Sequence, residues 1–339
     1  MRAFSCPTCG QLVYFENTLC LRCGSELGFD PEAGEIVLRG TGTSRSCTNV
    51  VLAACNWLVR AGDPHDRCRS CRITSTRPDL SDPEAAAAFL AAERAKRRLV
   101  FQLLDLGLPV VGRDDDPEHG VAFEMLSSRY EAVTTGHAGG VITIDLAEGD
   151  DAHRERTRLE LGEPYRTLLG HLRHEIGHYY WVVLVDRAGR HDEFRALFGD
   201  ERDDYRAALD RHYANGPTRG WEEHYVSAYA TAHPWEDWAE TFAHYLHVRD
   251  TLQTAAAFGV IVTGPTTGDR RDIDPALIAA PANALADQDL ESLLGEWFPL
   301  TYALNALNRS MGRDDLYPFV LSPRAMAKLA FVHDLVRAP

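Results

Sequence analysis

Three residues in the run HLRHEIGHYYW, residues 171–181, have the types and spacing for metal-assisted hydrolysis: His174, Glu175 and His178. On a helix, side chains four apart share a face, so the two imidazoles can hold one metal ion. Glu175 follows the first imidazole and can reach a water on that metal. There it can act as general base and pass the proton to a leaving amine. Leu168, Leu169, Leu172 and Ile176 give the helix apolar positions that bury it. His171 lies on roughly the same face and reads as packing, or as support behind the metal, rather than as a ligand.

A catalytic zinc needs a third protein ligand and an open position for water. The run PWEDWAETFAH, residues 234–244, supplies Glu236 and Glu240 one helical turn apart. Glu236 is the preferred ligand. Glu240 would stand behind it, accepting a ring N–H from His174 or His178 and fixing its tautomer. The reverse assignment stays open. Trp235, Trp238, Ala239, Phe242 and Tyr245 imply a buried setting, where carboxylates need partners. Tyr229, seven residues before Glu236, is a candidate to stabilise an oxyanion, with Tyr225 competing and a packed core tyrosine as the plain alternative. His244 and His247 read as helix-surface histidines.

All eight cysteines lie between Cys6 and Cys71. Cys6, Cys9, Cys20 and Cys23 form two CxxC knuckles, each followed by a glycine. Four thiolates close a tetrahedral zinc site with no open position, which makes it structural. Cys47, Cys55, Cys68 and Cys71 offer a second four-thiolate site with only one true knuckle. His65 could replace a thiolate there, and Cys47 and Cys55 could instead be small core residues. The cofactor expectation is Zn2+, one catalytic and one or two structural.

These groups need elements to position them. Asp82, Pro83 and Glu84 read as a helix start, and the alanine-rich run to Leu106 as a long helix stopped by Gly107 and Pro109. Glu35–Leu38 and Val141–Leu146 read as strands, the second after Gly139 and Gly140 and suited to serve as the edge that a peptide joins. Further helices are expected over about 164–185, 202–212, 234–252, 287–294 and 323–336, with a loop over 264–281. The fold class is therefore α+β, mostly helical, after an N-terminal zinc-ribbon module. The domain expectation is 1–30 for the ribbon, 31–80 for a second cysteine-rich segment and 81–339 for a zinc metallopeptidase domain.

The chain has 339 residues, 45% hydrophobic and 25% charged, with a net charge of −15. Residues 1–75 carry +1 and the remainder −16, which disfavours a broad nucleic-acid footprint. Residues 1–10 show no secretory pattern, and no run approaches the roughly 20 apolar residues of a membrane helix. A cytoplasmic chain with no membrane partner is expected.

CPTCG with CLRCG, CNWLV, CRSC before TRPDL, HLRHEIGHYYW and HPWEDWAETFAHYLH, in that order over about residues 4–335, resemble the bacterial zinc-binding metallopeptidases with an N-terminal zinc ribbon. The catalytic part is similar to the gluzincin arrangement, including the anthrax lethal factor catalytic domain. That resemblance implies a zincin fold, Glu236 as third ligand, Glu240 as its acidic support, a role for Tyr229 and Glu175 as general base. It implies a peptide or protein substrate. Two rivals are carried beside it. One is a binding module, with Arg22, Arg39, Arg45, Arg67, Arg69 and Arg72 on the cysteine-rich part and a vestigial metallo-domain. The other is a zinc hydrolase acting on a non-peptide bond.

Overall fold

The computed structural model describes residues 2–42, 44–129, 132–150, 154–156, 166–263 and 288–338. The expected loop over 264–281 lies outside the described residues. The chain divides into two compact units, residues 2–175 and 176–338.

The first unit opens with three antiparallel strand pairs: β1 (Phe4–Ser5) with β2 (Leu12–Val13), β3 (Leu27–Asp30) with β4 (Glu35–Leu38), and β5 (Ser44–Ser46) with β6 (Leu58–Arg60). Such short pairs cannot bury enough apolar surface alone. They share an aromatic core instead. Phe15 lies 5.0 Å from Phe29 and 4.9 Å from Phe101, and Phe29 lies 5.0 Å from Trp57, between ring centroids. Phe101 belongs to the long helix α2 (Pro83–Asp105), which follows the short α1 (Arg69–Arg72). Asp82 caps α2 by accepting from the N–H groups of Glu84 and Ala85, Pro83 fills the first helical position, and Gly107 takes the left-handed conformation just past its end.

A four-stranded sheet completes this unit in the order β7 (Thr74–Thr76), β8 (Ala122–Leu126), β10 (Val141–Asp145), β9 (Gly136–Ala138). The first three strands run parallel, and β9 is antiparallel to β10. The strand at Val141 is present, but it is not an edge. Gly139 and Gly140 both take positive φ and fold β9 back onto it as a hairpin, so β9 holds the edge position. At the other end of β10, the Asp145 carboxylate accepts from Ala147 N–H and starts a 3-10 turn, Leu146–Gly149. That turn carries Glu148.

Helix α3 (Leu168–Trp181) continues as a π-helical turn over Val182–Asp186. The second unit then adds α4 (His191–Phe198), α5 (Tyr205–Asn215), α6 (Pro234–Ala257), α7 (Leu290–Ser310) and α8 (Pro323–Arg337). Helix α7 runs well past its expected end at residue 294, through Pro299. Burial of Leu293, Trp297 and Leu300 along one face offsets the roughly 3 kcal/mol that an interior proline costs. Helices with a small sheet and three hairpins make the fold α+β and mostly helical, as expected.

Candidate metal centre

Two helices build the site. In α6, Pro234 opens the helix and the His233 ring accepts from Trp235 N–H, which places Glu236 in the first turn. In α3, Gly177 lies between the two ligand-type histidines. A Cβ there would stand 3.1 Å from Ala239 Cα and 3.3 Å from its carbonyl oxygen. Glycine accommodates this approach without displacing either helix, whereas any side chain would need its neighbour to give by a few tenths of an ångström. Trp238 Nε1 donates to the Gly177 carbonyl at 2.8 Å, and Phe242 stacks on Tyr180 at 5.3 Å.

Ligand-capable atoms of His174, His178 and Glu236 lie within 4.8 Å of one another. His178 Nε2 is 3.7 Å from Glu236 Oε1. A tetrahedral zinc with arms of about 2.0–2.2 Å has ligand-to-ligand edges of about 3.4 Å. Two imidazoles and a carboxylate at this spacing fit such an ion. Glu236 is 1% exposed, so its charge has little water to lean on. Trp235 sets its ring edge-on to His178 at 5.2 Å.

Several neighbours were invisible in the sequence. Tyr205, at the start of α5, donates its hydroxyl to Glu236 Oε1 at 2.7 Å. Lys328 of α8 reaches Asp237 Oδ2 at 2.5 Å and the His224 carbonyl at 2.9 Å. Burial raises the Asp237 carboxyl to about 7, against the pull of Lys328. Spacing alone gave no hint of either contact, because both partners come from distant helices.

Glu240 accepts from Ser227 Oγ at 2.6 Å. Tyr229 lies in a 3-10 turn against His212, and burial, then the charge of Glu236, push its phenol well up. Tyr225 instead lies under Lys328, whose Nζ is 4.2 Å from its ring centre. His244 is not a surface residue. It is buried, with Nδ1 2.7 Å from the Tyr317 hydroxyl and its ring 4.4 Å from Phe319, on a segment that only the tertiary fold brings there. His247 packs beside Tyr317 and Trp297.

The cysteines gather into two groups of four, Cys6, Cys9, Cys20, Cys23 and Cys47, Cys55, Cys68, Cys71. Sulfur separations of 3.6 Å (Cys6 to Cys23), 3.7 Å (Cys9 to Cys20) and 3.6 Å (Cys55 to Cys68) are far beyond a disulfide bond. They match the roughly 3.8 Å edge of a tetrahedron with zinc–sulfur arms of about 2.3 Å. Gly10 and Gly24, with positive φ, donate back to the Cys6 and Cys20 carbonyls and close each knuckle. All four members of the second group are buried. His65 lies 3.9 Å from Asp115 and is not in that group.

Among the described residues, no helix is long and apolar enough to cross a membrane. Residues 3–82 match a zinc-ribbon domain family, and residues 85–335 match the family described as "Putative zinc-binding metallo-peptidase". Uncharacterized proteins of Mycobacterium tuberculosis and Mycobacterium bovis are each 51% identical to the chain over 338 residues, which is 99% of this chain and 95% of theirs. No solved structure matches it. A match over most of the length, ending on donor groups that fit zinc, places the chain in the zinc-binding metallo-peptidase family with an N-terminal zinc-ribbon domain.

Proposed function

We propose that the protein hydrolyses peptide bonds at a catalytic zinc held by His174, His178 and Glu236, in a gluzincin-like arrangement of the HExxH motif. The observation that carries this reading is the grouping of those three residues, with Glu175 on the same helix as both imidazoles. A zinc ion held there supplies a Lewis acid that makes water nucleophilic near neutral pH and polarises a carbonyl oxygen. Glu175 takes the proton that the attacking water loses and returns it to the leaving amine. Tyr229, kept neutral by burial, donates to the oxygen on which negative charge develops. Glu240, anchored by Ser227, accepts a ligand imidazole N–H and fixes its tautomer.

The two cysteine groups hold structural zinc, since four thiolates leave no position for substrate. In domain terms we read 1–30 as the ribbon, 31–80 as the second cysteine-rich segment and 81–339 as the metallopeptidase domain of a cytoplasmic enzyme.

The test is a peptide-library digest by the zinc-loaded full chain beside E175Q, with metal content measured on both. Cleavage by the parent and none by E175Q, at equal zinc, supports the mechanism. Equal cleavage by both removes Glu175 from it. Turnover of esters or non-peptide amides alone would transfer the site to another hydrolase class. The three donor groups predict three zinc ions per chain, falling to two in H174A.

A further inference from the structure

Glu175 is not held by its own helix alone. His171, one turn earlier in α3, places Nε2 3.2 Å from Glu175 Oε1. Its other nitrogen, Nδ1, lies 3.7 Å from Glu148 Oε2. Glu148 belongs to the 3-10 turn that Asp145 starts at the end of β10, and it is buried. Arg166 grips the far side of that carboxylate with Nη2 at 2.6 Å and Nε at 3.3 Å, the two-pronged geometry that fixes a carboxylate plane. Arg154 donates to the Glu148 carbonyl, fixing the turn itself. The four side chains alternate in charge, from Arg166 to Glu148 to His171 to Glu175.

We infer that His171 is a positioning residue for Glu175: clamped by Glu148, its ring holds the general base in one rotamer. The inference rests on the peptidase reading of the site. A glutamate has three rotatable bonds, and an unrestrained one spends much of its time away from the reacting water. A ring bonded to Glu175 through Nε2 and drawn by the Glu148 charge at Nδ1 restricts that freedom. Burial works against a charged ring, yet the bonds to Glu148 and Glu175 outweigh it and raise His171 to about 9. Burial likewise opposes the Glu148 carboxylate, while His171 and Arg166 bring it down to about 2. Both nitrogens therefore carry protons at neutral pH: Nε2 donates to Glu175, and Nδ1 stands in ion-pair range of Glu148. The rival account is a plain tether between the end of β10 and the start of α3, in which Glu175 is a bystander.

The test uses E148Q, which keeps the shape of the clamp, leaves His171 and Glu175 intact and removes the charge that fixes the ring. In the zinc-loaded full chain, kcat should fall about 10–100-fold with KM and zinc content unchanged, and E148D should recover part of it. A plain tether would lower thermal stability while leaving kcat at ambient temperature alone, and that result overturns the inference. A second readout needs no activity. With labelled histidine, the His171 ring should titrate well above 6.5 in the parent and lower in both E148Q and E175Q. A ring that titrates near 6.5 in the parent, or ignores E175Q, also overturns it. If the parent cleaves no peptide, the peptidase reading fails by itself, and the titration still decides whether the clamp exists.

Discussion

The indole Nε1 of Trp238 donates to the carbonyl oxygen of Gly177 at 2.8 Å, tying the helix of His178 to the helix of Glu236. The same crossing brings Gly177 against Ala239. The spacing of His178 and Glu236 thus rests on an indole-to-carbonyl bond and on a close approach of the two helix backbones.

Gly177 is accordingly the position most sensitive to one added methyl. In G177A the new Cβ meets backbone at 3.1 Å, and backbone cannot rotate away. Overpacking of this kind costs about 1–3 kcal/mol, and the helix propensity gained returns about 1. Urea unfolding should show a net loss of stability, and zinc per chain should fall by one. A more stable variant with full zinc would mean that the helices separate freely.

Tyr205 should matter through Glu236. Y205F removes the hydroxyl bonded to Glu236 Oε1 and little else. Loss of a hydrogen bond behind a ligand typically weakens metal binding about 10–100-fold. Competition with a chelator should strip one zinc ion from Y205F before the parent, while the circular dichroism of the two stays the same.

The buried pair of Lys328 and Asp237 holds the start of α6 to α8. K328M leaves the buried Asp237 carboxylate without its cation and should cost about 3 kcal/mol. The double variant D237N/K328M should recover part of that loss in thermal melts. No recovery would mean that Lys328 acts by packing on Tyr225 rather than by charge.

Stability should depend on pH through His171. Its folded pKa of about 9 lies above the ordinary 6.5, so its contribution is full below 6.5 and lost as pH rises through 9. Glu148, at about 2 against an ordinary 4.5, contributes fully above 4.5 and loses that as pH falls through 2. The stability gap between the parent and H171Q should be widest between these windows, on the order of 3 kcal/mol at most, and should close above pH 9. A gap that is flat with pH would contradict the ion pairs.

The metal-binding residue types were legible because their spacing is local. Two histidines four apart on a helix, a glutamate between them and two CxxC knuckles are short-range patterns with one physical reading each. Helix α2 was legible for the same reason, since its cap, first-turn proline and terminal glycine are written consecutively. The second cysteine group and the choice of Glu236 needed more. Cys47 and Cys55 become neighbours of Cys68 and Cys71 only when β5 and β6 pair, and Glu236 joins the histidines only when α6 crosses α3.

What the sequence carried by itself was the donor chemistry: which residue types, at which local spacing, could hold a metal ion. The tertiary structure decided how those atoms are held. Glycines read as a strand boundary became a hairpin turn, so β9 rather than β10 lies at the sheet edge. A histidine read as surface became buried against Tyr317. The supports of the site, Tyr205 on Glu236, Lys328 on Asp237 and Glu148 on His171, lie 31, 91 and 23 positions away in the chain. No periodicity links residues so far apart. They meet because buried charges must find partners, and only the folded chain determines which partners are within reach.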